Sequence, residues 1–508
     1  MLSLSLKPKL LWCLGSAAFV VAAAACQPAY VFPEPREWGE LTGPGGPAVS
    51  FTEDELLAPC AALDGGPEDD DHHNMVGMVD GYLVLPWAPE WSGGGLSFFS
   101  FDDPCAPEKI GETFDAHIRE SHTFGAVGRG GRVLSAFDYH GGLVDGEIVG
   151  GIQIWDITEA SSPFVVSSLA LPGYLYPDAY TGVSLATFWQ GDLIWVSGCD
   201  NGFWVVDASD PSDPRVAYQH TFDPPMRVGA VHLVGDLAMV SGAEISRVVL
   251  MDVSAPMTPV PFVGGDFETL DVTGAARDYY FAGIGGRYGL FARKEAGGGF
   301  MAYDLTDPRA PVRAGSASAV DGNGGYVFRQ SDTLFVGESH FAALYDFSDP
   351  AESVELARAA LEGDLDTATP IGNVVVLSVD EDAIPGEASA VFPWAQEPDS
   401  RGPRVELHRP ANGAVWVAPT ASIGLSFDEM VEFRTVFEGS FRVSDSRGRR
   451  VEGLFGVQEG VVSFTPSEPL EEDTTYVVAV PAGGIADYSG NTTDEELTFR
   501  FATGPEVL

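Results

Sequence analysis

The sequence predicts an all-β protein in two parts: a seven-bladed β-propeller over residues 73–402 and a small β-sandwich over residues 403–504. Three observations predict it. A phrase made of an apolar strand, an Asp-bearing turn and a second strand returns about every 49 residues between Ser100 and Trp394. The composition breaks near residue 400, after which the phrase does not recur. Neither part carries helical periodicity, which excludes an α-solenoid. In chain order the expected units are an export signal (1–25), an acidic linker (26–72), the propeller, the sandwich and a short tail (505–508).

Residues 1–25 read as an export signal. Lys7 and Lys9 give a basic start, an apolar run follows from Leu10 to Ala25, and small residues precede Cys26. An apolar stretch of that length, bounded by small residues, is a signal rather than a spanning helix. Ala23-Ala24-Ala25 before Cys26 resembles a lipobox, which implies lipidation of Cys26. The alternative is ordinary cleavage after Ala25, leaving a secreted protein. Gln27 in place of Asp resembles diderm lipoproteins sent to the outer membrane or cell surface. No later stretch is long or apolar enough to span a bilayer, so membrane contact is expected through the lipid anchor alone.

The linker ends in an acidic cluster, Asp69, Asp70, Asp71, His72 and His73, in "GGPEDDDHHNMVGMVDGY". Adjacent residues of an extended chain point to opposite sides, so His72 and His73 share an ion only if the loop folds. A metal reading would bring in His122, His232 and His340 by convergence on the central channel, since zinc wants three or four ligands. The reading preferred here is an acidic linker with scattered histidines, and no metal site is assigned. Cys60 and Cys105 could pair, clipping the linker onto the turn "DDPCAP" of the first repeat, as an oxidising compartment allows. Cys13 would leave with the signal, and Cys199 falls at a strand end.

The repeat is clearest in "NGFWVVDASDPSDPRVAY" around Asp207, "GGFMAYDLTDPRAPVRAG" around Asp304 and "HFAALYDFSDPAESVELA" around Asp346. Asp156 and Asp252 mark two further copies, and Ser100 and Trp394 hold the same position in two degenerate ones. An Asp side chain at a strand end accepts hydrogen bonds from backbone N–H groups two residues on, and Pro presets φ for the turn. Upstream, Gly-Asp or Ser-Asp turns join apolar pairs of strands, as in "VHLVGDLAMVSG" and "FRQSDTLFVGES". Four short strands per unit, seven times over, is a propeller pattern. The segments "WVVDASDP", "AYDLTDP" and "LYDFSDP" resemble the LVIVD repeat of propellers in surface and exported bacterial and archaeal proteins. That resemblance supplies neither a catalytic residue nor a ligand.

After residue 402, alternating runs such as "SIGLSFDE", "GVVSFTP", "TTYVVAVP" and "LTFRF" read as about seven strands of a sandwich. "RPANGA", "SFDEMVE", "SFTPSEPLEEDTTYVVAV", "GIADYSGN" and "FRFATG" resemble the bacterial Ig-like domain of S-layer and other surface proteins, which implies a spacer or adhesive module. Asp487 and Asn491 are read as its turn residues.

Charge and motifs bound the function. A net charge of −47 argues against nucleic acid and anionic lipid as partners. Only Lys7, Lys9, Lys109 and Lys294 are lysines, a pattern that fits a solvated surface in a saline habitat. No cofactor is expected, with Ca²⁺ held by surface carboxylates kept as the alternative. No nucleophile elbow, phosphate loop or zinc helix is present, so no catalytic residue is assigned. Insertions in "APEWSGGG", "FDYHGGLVDGEIVGG", "FARKEAGGG" and "VDEDAIPGEA" fall at one inter-strand position, and equivalent loops leave one face of a propeller. Trp91, Asp138, His140, Glu147, Arg293, Lys294, Asp380 and Glu381 are the candidate binding residues. The expected function is a non-catalytic surface lipoprotein that binds a protein or glycan. The alternative is an extracellular hydrolase or lyase with a metal or acid/base site at the channel mouth.

Overall fold

The computed structural model describes residues 46–66, 75–88, 93–119, 122–144, 147–176, 186–294, 297–319, 321–381 and 388–505. Cys26, Trp91 and the Asp69–His73 cluster lie outside them. Six sequence repeats fold as antiparallel meanders of four strands, spanning 77–115, 125–176, 187–220, 228–268, 279–317 and 327–359, and a seventh supplies three strands over 364–393 to a sheet whose fourth strand comes from elsewhere in the chain. They are called here sheets 1 to 7. First and second strands are continuous apolar runs because both their faces are covered: Val228–Val234 and Leu237–Gly242 are buried throughout. Fourth strands such as Arg215–His220 are mostly exposed and read as polar. The arrangement is propeller-like, with apolar side chains of neighbouring sheets sharing common cores.

The repeated Asp ends the third strand of its sheet at Asp156, Asp207, Asp252, Asp304 and Asp346. In each, one carboxylate oxygen accepts the backbone N–H two residues on, at 3.0 Å from Thr158, 2.9 Å from Ser209, 3.0 Å from Ser254, 2.9 Å from Thr306 and 2.9 Å from Ser348. The side chain thereby replaces the ladder partner that the departing backbone loses. Asp156 is itself buried and paired with Arg132 at 2.6 Å.

Part of the segment read as a linker belongs to the sheets. Ala61–Leu63 pairs antiparallel with Ser389–Pro393 and is the outermost strand of sheet 7, so the first and last portions of the repeat region share one sheet. Cys60 is joined to Cys105 by a disulfide with a Cα–Cα distance of 5.0 Å, which ties this strand to the Asp-type turn of sheet 1. Cys199 is buried, outside that bond.

The C-terminal region has seven strands, four in one sheet (405–409, 423–427, 461–466, 453–458) and three in another (442–445, 475–480, 497–502). Leu425, Phe427 and Phe464 of the first share a core with Val478, Phe499 and Phe501 of the second. The four-stranded sheet does not stop at its own edge. Gly453–Gln458 pairs with Gly125–Arg129, the first strand of sheet 2, making one eight-stranded sheet across the two regions.

Candidate functional site

Alternating strand direction gives the meanders two rims. One carries the first-to-second turns and the Asp turns. The other carries the second-to-third connections and the links between sheets.

Every first-to-second turn lies against the C-terminal region. In sheet 1, Asp80 and Gly81 donate their N–H groups to the Glu432 carboxylate at 2.9 and 3.4 Å. Gly130 and Gly131 of sheet 2 line one cavity of about 270 Å³ with Phe433 and Phe455. Gly191 of sheet 3 approaches Thr465 too closely for any side chain. Asp236 of sheet 4 receives Arg409 at 2.7 Å, and Gly235, at φ +58°, meets Gly424 backbone to backbone. In sheet 5 the Gly286 N–H donates to the Phe427 carbonyl at 2.6 Å, and in sheet 6 the Ser331 N–H donates to the Asp428 carbonyl at 2.9 Å. Gly372 of sheet 7 lines a cavity with Ser489. Arg329 adds a two-pronged bond to Glu406 at 2.8 and 2.9 Å.

The hairpin 453–466 also contacts the repeats. The Gln458 amide donates to the Thr187 carbonyl at 2.9 Å, and the turn residue Glu459 lines a small cavity with Gly283 of sheet 5. Burial pushes the Glu459 carboxyl up to about 8. Aromatic rings also pack across neighbouring segments: His122 lies 4.9 Å from Phe281, Phe281 stacks on Tyr326 at 4.0 Å, and Tyr326 on Phe328 at 6.0 Å.

The described residues flanking the four insertions end second strands and begin third strands in sheets 1, 2, 5 and 7, on the rim opposite the C-terminal region. Glu147 begins the third strand of sheet 2, and Asp380 and Glu381 end the second strand of sheet 7. The structure brings Asp138 and His140 together with two residues that sequence reasoning did not single out. The segment 117–119 lies along the second strand of sheet 2, with the Arg119 N–H donating to the Asp138 carbonyl at 3.1 Å and the His140 N–H to the His117 carbonyl at 2.8 Å. Arg119 and Asp138 form a buried pair at 3.5 Å. Burial, then the Arg119 charge and His117, lower His140 to about 4, so it is neutral at physiological pH.

A second group gathers Arg293 and Lys294 with residues of sheets 4 and 6. The Lys294 ammonium sits 4.2 Å from the Tyr280 ring centre and 3.8 Å from Glu244, which also takes Arg227 at 2.8 Å. Arg293 is buried, and that burial lowers its pKa. Nearby Glu338 is fully buried among glycines 298, 299 and 322. The Gly299 N–H donates to its Oε1 at 2.5 Å, its Oε2 has no partner, and burial pushes it up to about 8. Glu338 was not anticipated; the "FARKEAGGG" insertion that supplies its glycine cradle was the available signal. The histidines of the metal alternative have different surroundings: His122 is in the aromatic stack, His232 is buried edge-on to Phe188 at 6.3 Å, and His340 is on an exposed connection. Among the described residues, the one group of three metal-capable side chains is Asp399, Glu429 and Asp487, at the other rim.

Residues 399–503 match the bacterial Ig-like domain family. Domains of that family occur in bacterial surface proteins. No curated protein sequence matches the chain. Among solved structures it is similar to the β-propeller domain of Cps50 from Myceliophteria thermophila, with 10% identity, a TM-score of 0.44 and coverage of 65% of this chain and 99% of that one. It is also similar to a putative 6-phosphogluconolactonase from Bacteroides fragilis, with 9% identity, a TM-score of 0.42 and coverage of 56% and 83%. Among the described residues no helix is long and apolar enough to cross a membrane.

Proposed function

We propose that this is a non-catalytic surface lipoprotein, exported by its leader and anchored through Cys26. Its LVIVD-type repeats form a seven-bladed propeller that binds a protein or glycan with the rim bearing the four insertions. In this reading Ala61–Leu63 closes the ring and the Ig-like β-sandwich is its lid rather than a free spacer. The observation that carries it is the engagement of all seven first-to-second turns by the C-terminal region. With that rim covered, recognition falls to the other. There Lys294, Glu244, Arg227 and the half-buried Tyr280 offer charge, hydrogen bonding and a ring face, a set suited to sugars or polar peptide.

The test is a glycan array and a panel of purified cell-envelope proteins probed with the protein, with a double variant Glu244→Ala/Lys294→Ala, and with Arg442→Ala on the exposed outer side of the Ig-like region. The expected outcome is a ligand bound by the protein and by R442A, with affinity at least about tenfold weaker in the double variant. A ligand held equally by the double variant, or one converted to product on incubation, contradicts the proposal.

A further inference from the structure

Three carboxylates meet where the last sheet, the connector and the Ig-like region join. Asp399 comes from the connector, Glu429 from the loop after the strand Ile423–Phe427, and Asp487 from the "ADYSGN" turn. One oxygen of each lies within 4.8 Å of the other two. They surround a cavity of about 10 Å³, closed by Gln330, Gly372 and Ser489. That is room for one ion or one water. Nearby basic residues are committed elsewhere: Arg404 pairs with Asp428 at 2.9 Å, and Arg401 with Asp332 at 2.8 Å.

Two atoms at this cavity are left without a partner. Glu429 is 4% exposed, and its Oε1 accepts no hydrogen bond. The Ser489 hydroxyl is likewise buried and unpartnered. Asp487, by contrast, is spent partly on its turn, accepting the N–H groups of Ser489 and Asn491 at 2.8 Å each through one oxygen, and the Asn491 amide through the other at 3.0 Å. Asp399 takes the Gln330 amide at 2.9 Å. Buried acids so close repel one another, and burial followed by the charges of Asp487, Asp399 and Asp428 drives Glu429 up to about 10. A cation reverses that balance.

We propose that Asp399, Glu429, Asp487 and the Ser489 hydroxyl form a Ca²⁺ site that fastens the Ig-like region to the connector leading out of the last sheet. The donors are all oxygen, the choice of a hard cation, and metal–oxygen distances of about 2.3–2.6 Å place ligand oxygens on opposite sides of Ca²⁺ up to about 5 Å apart. With His and Cys absent from the set, zinc is disfavoured. Glu429 and Asp487 belong to the Ig-like region and Asp399 to the connector, where the Gln330 amide of sheet 6 holds it, so a bound ion ties the Ig-like region to the connector and through Gln330 to the repeats.

The test is calcium titration of the EDTA-treated full chain by calorimetry, with thermal melts in EDTA and in about 1–10 mM CaCl₂, above the range of extracellular calcium modules. One ion bound per chain and a Tm raised by calcium are expected. Glu429→Gln and Asp487→Asn should each lower calcium affinity at least about tenfold, since each removes a charged ligand. E429Q should also melt higher than the unaltered protein in EDTA, because it removes the buried acid. Should a variant fold poorly, Tb³⁺ luminescence of the unaltered protein, sensitised by Tyr488 beside the cavity and displaced by Ca²⁺, gives the same answer. No calcium binding and no Tm shift, or a shift that survives in both variants, overturns the proposal.

Discussion

Glu459 sits at the tip of a hairpin whose other side chains are uncharged, and it lines a cavity with Gly283 of sheet 5 and Val327 of sheet 6. Its folded pKa, about 8, is above the ordinary 4.5, and burial is the cause. The native state therefore holds a proton that the unfolded chain releases. The stability from this group is complete below about pH 4.5 and is lost as pH rises through 8, at up to about 1.4 kcal/mol per pH unit. Glu459→Gln removes the titration. Urea unfolding in EDTA at pH 5 and pH 8 should show the variant gaining on the unaltered protein between the two; parallel behaviour would mean the carboxyl is not buried. At this scale the sequence was readable where chemistry is local. The Asp turns could be read because donor and acceptor are two residues apart. Glu429 and Asp487 could not be paired by eye, because residues 58 apart in sequence meet only through the fold.

At the level of elements, the Gly-Asp and Ser-Asp turns are more than hairpin ends. Gly235 and Gly424 meet with no side chain between them, so the turn of sheet 4 rests on the backbone of the strand Ile423–Phe427. In a free strand Ala is favoured over Gly. Gly424→Ala should nevertheless destabilise the full chain by about 1–3 kcal/mol, since its methyl group is forced against the Gly235 backbone. An unchanged or higher urea midpoint would show that the two backbones are not in contact. The repeat pattern identified these turns but not what covers them. A hydrophobic pattern reports which face of a strand is buried, whereas the partner here is a backbone surface with no pattern of its own. The short strand Ala61–Leu63 falls inside the segment expected to be linker for a related reason: three residues are too few to show alternation.

Across the whole molecule, the break near residue 400 was visible as a change of sequence style, and it marks a change of fold but not of body. The eight-stranded sheet, the Arg329–Glu406 and Arg409–Asp236 pairs and the inserted hairpin build the Ig-like region into the repeat sheets. Like the calcium proposal, the binding proposal depends on that union, because only a covered rim leaves the insertions as the surface for recognition. Hydrogen exchange on the full chain tests it most directly. The account predicts that amides of the first-to-second turns, including Gly81, Gly286 and Ser331, exchange as slowly as the inner strands, because their N–H groups end on Glu432, Phe427 and Asp428. Fast exchange at these turns, at the rate of exposed hairpins, would contradict it and return the Ig-like region to the role of a free module.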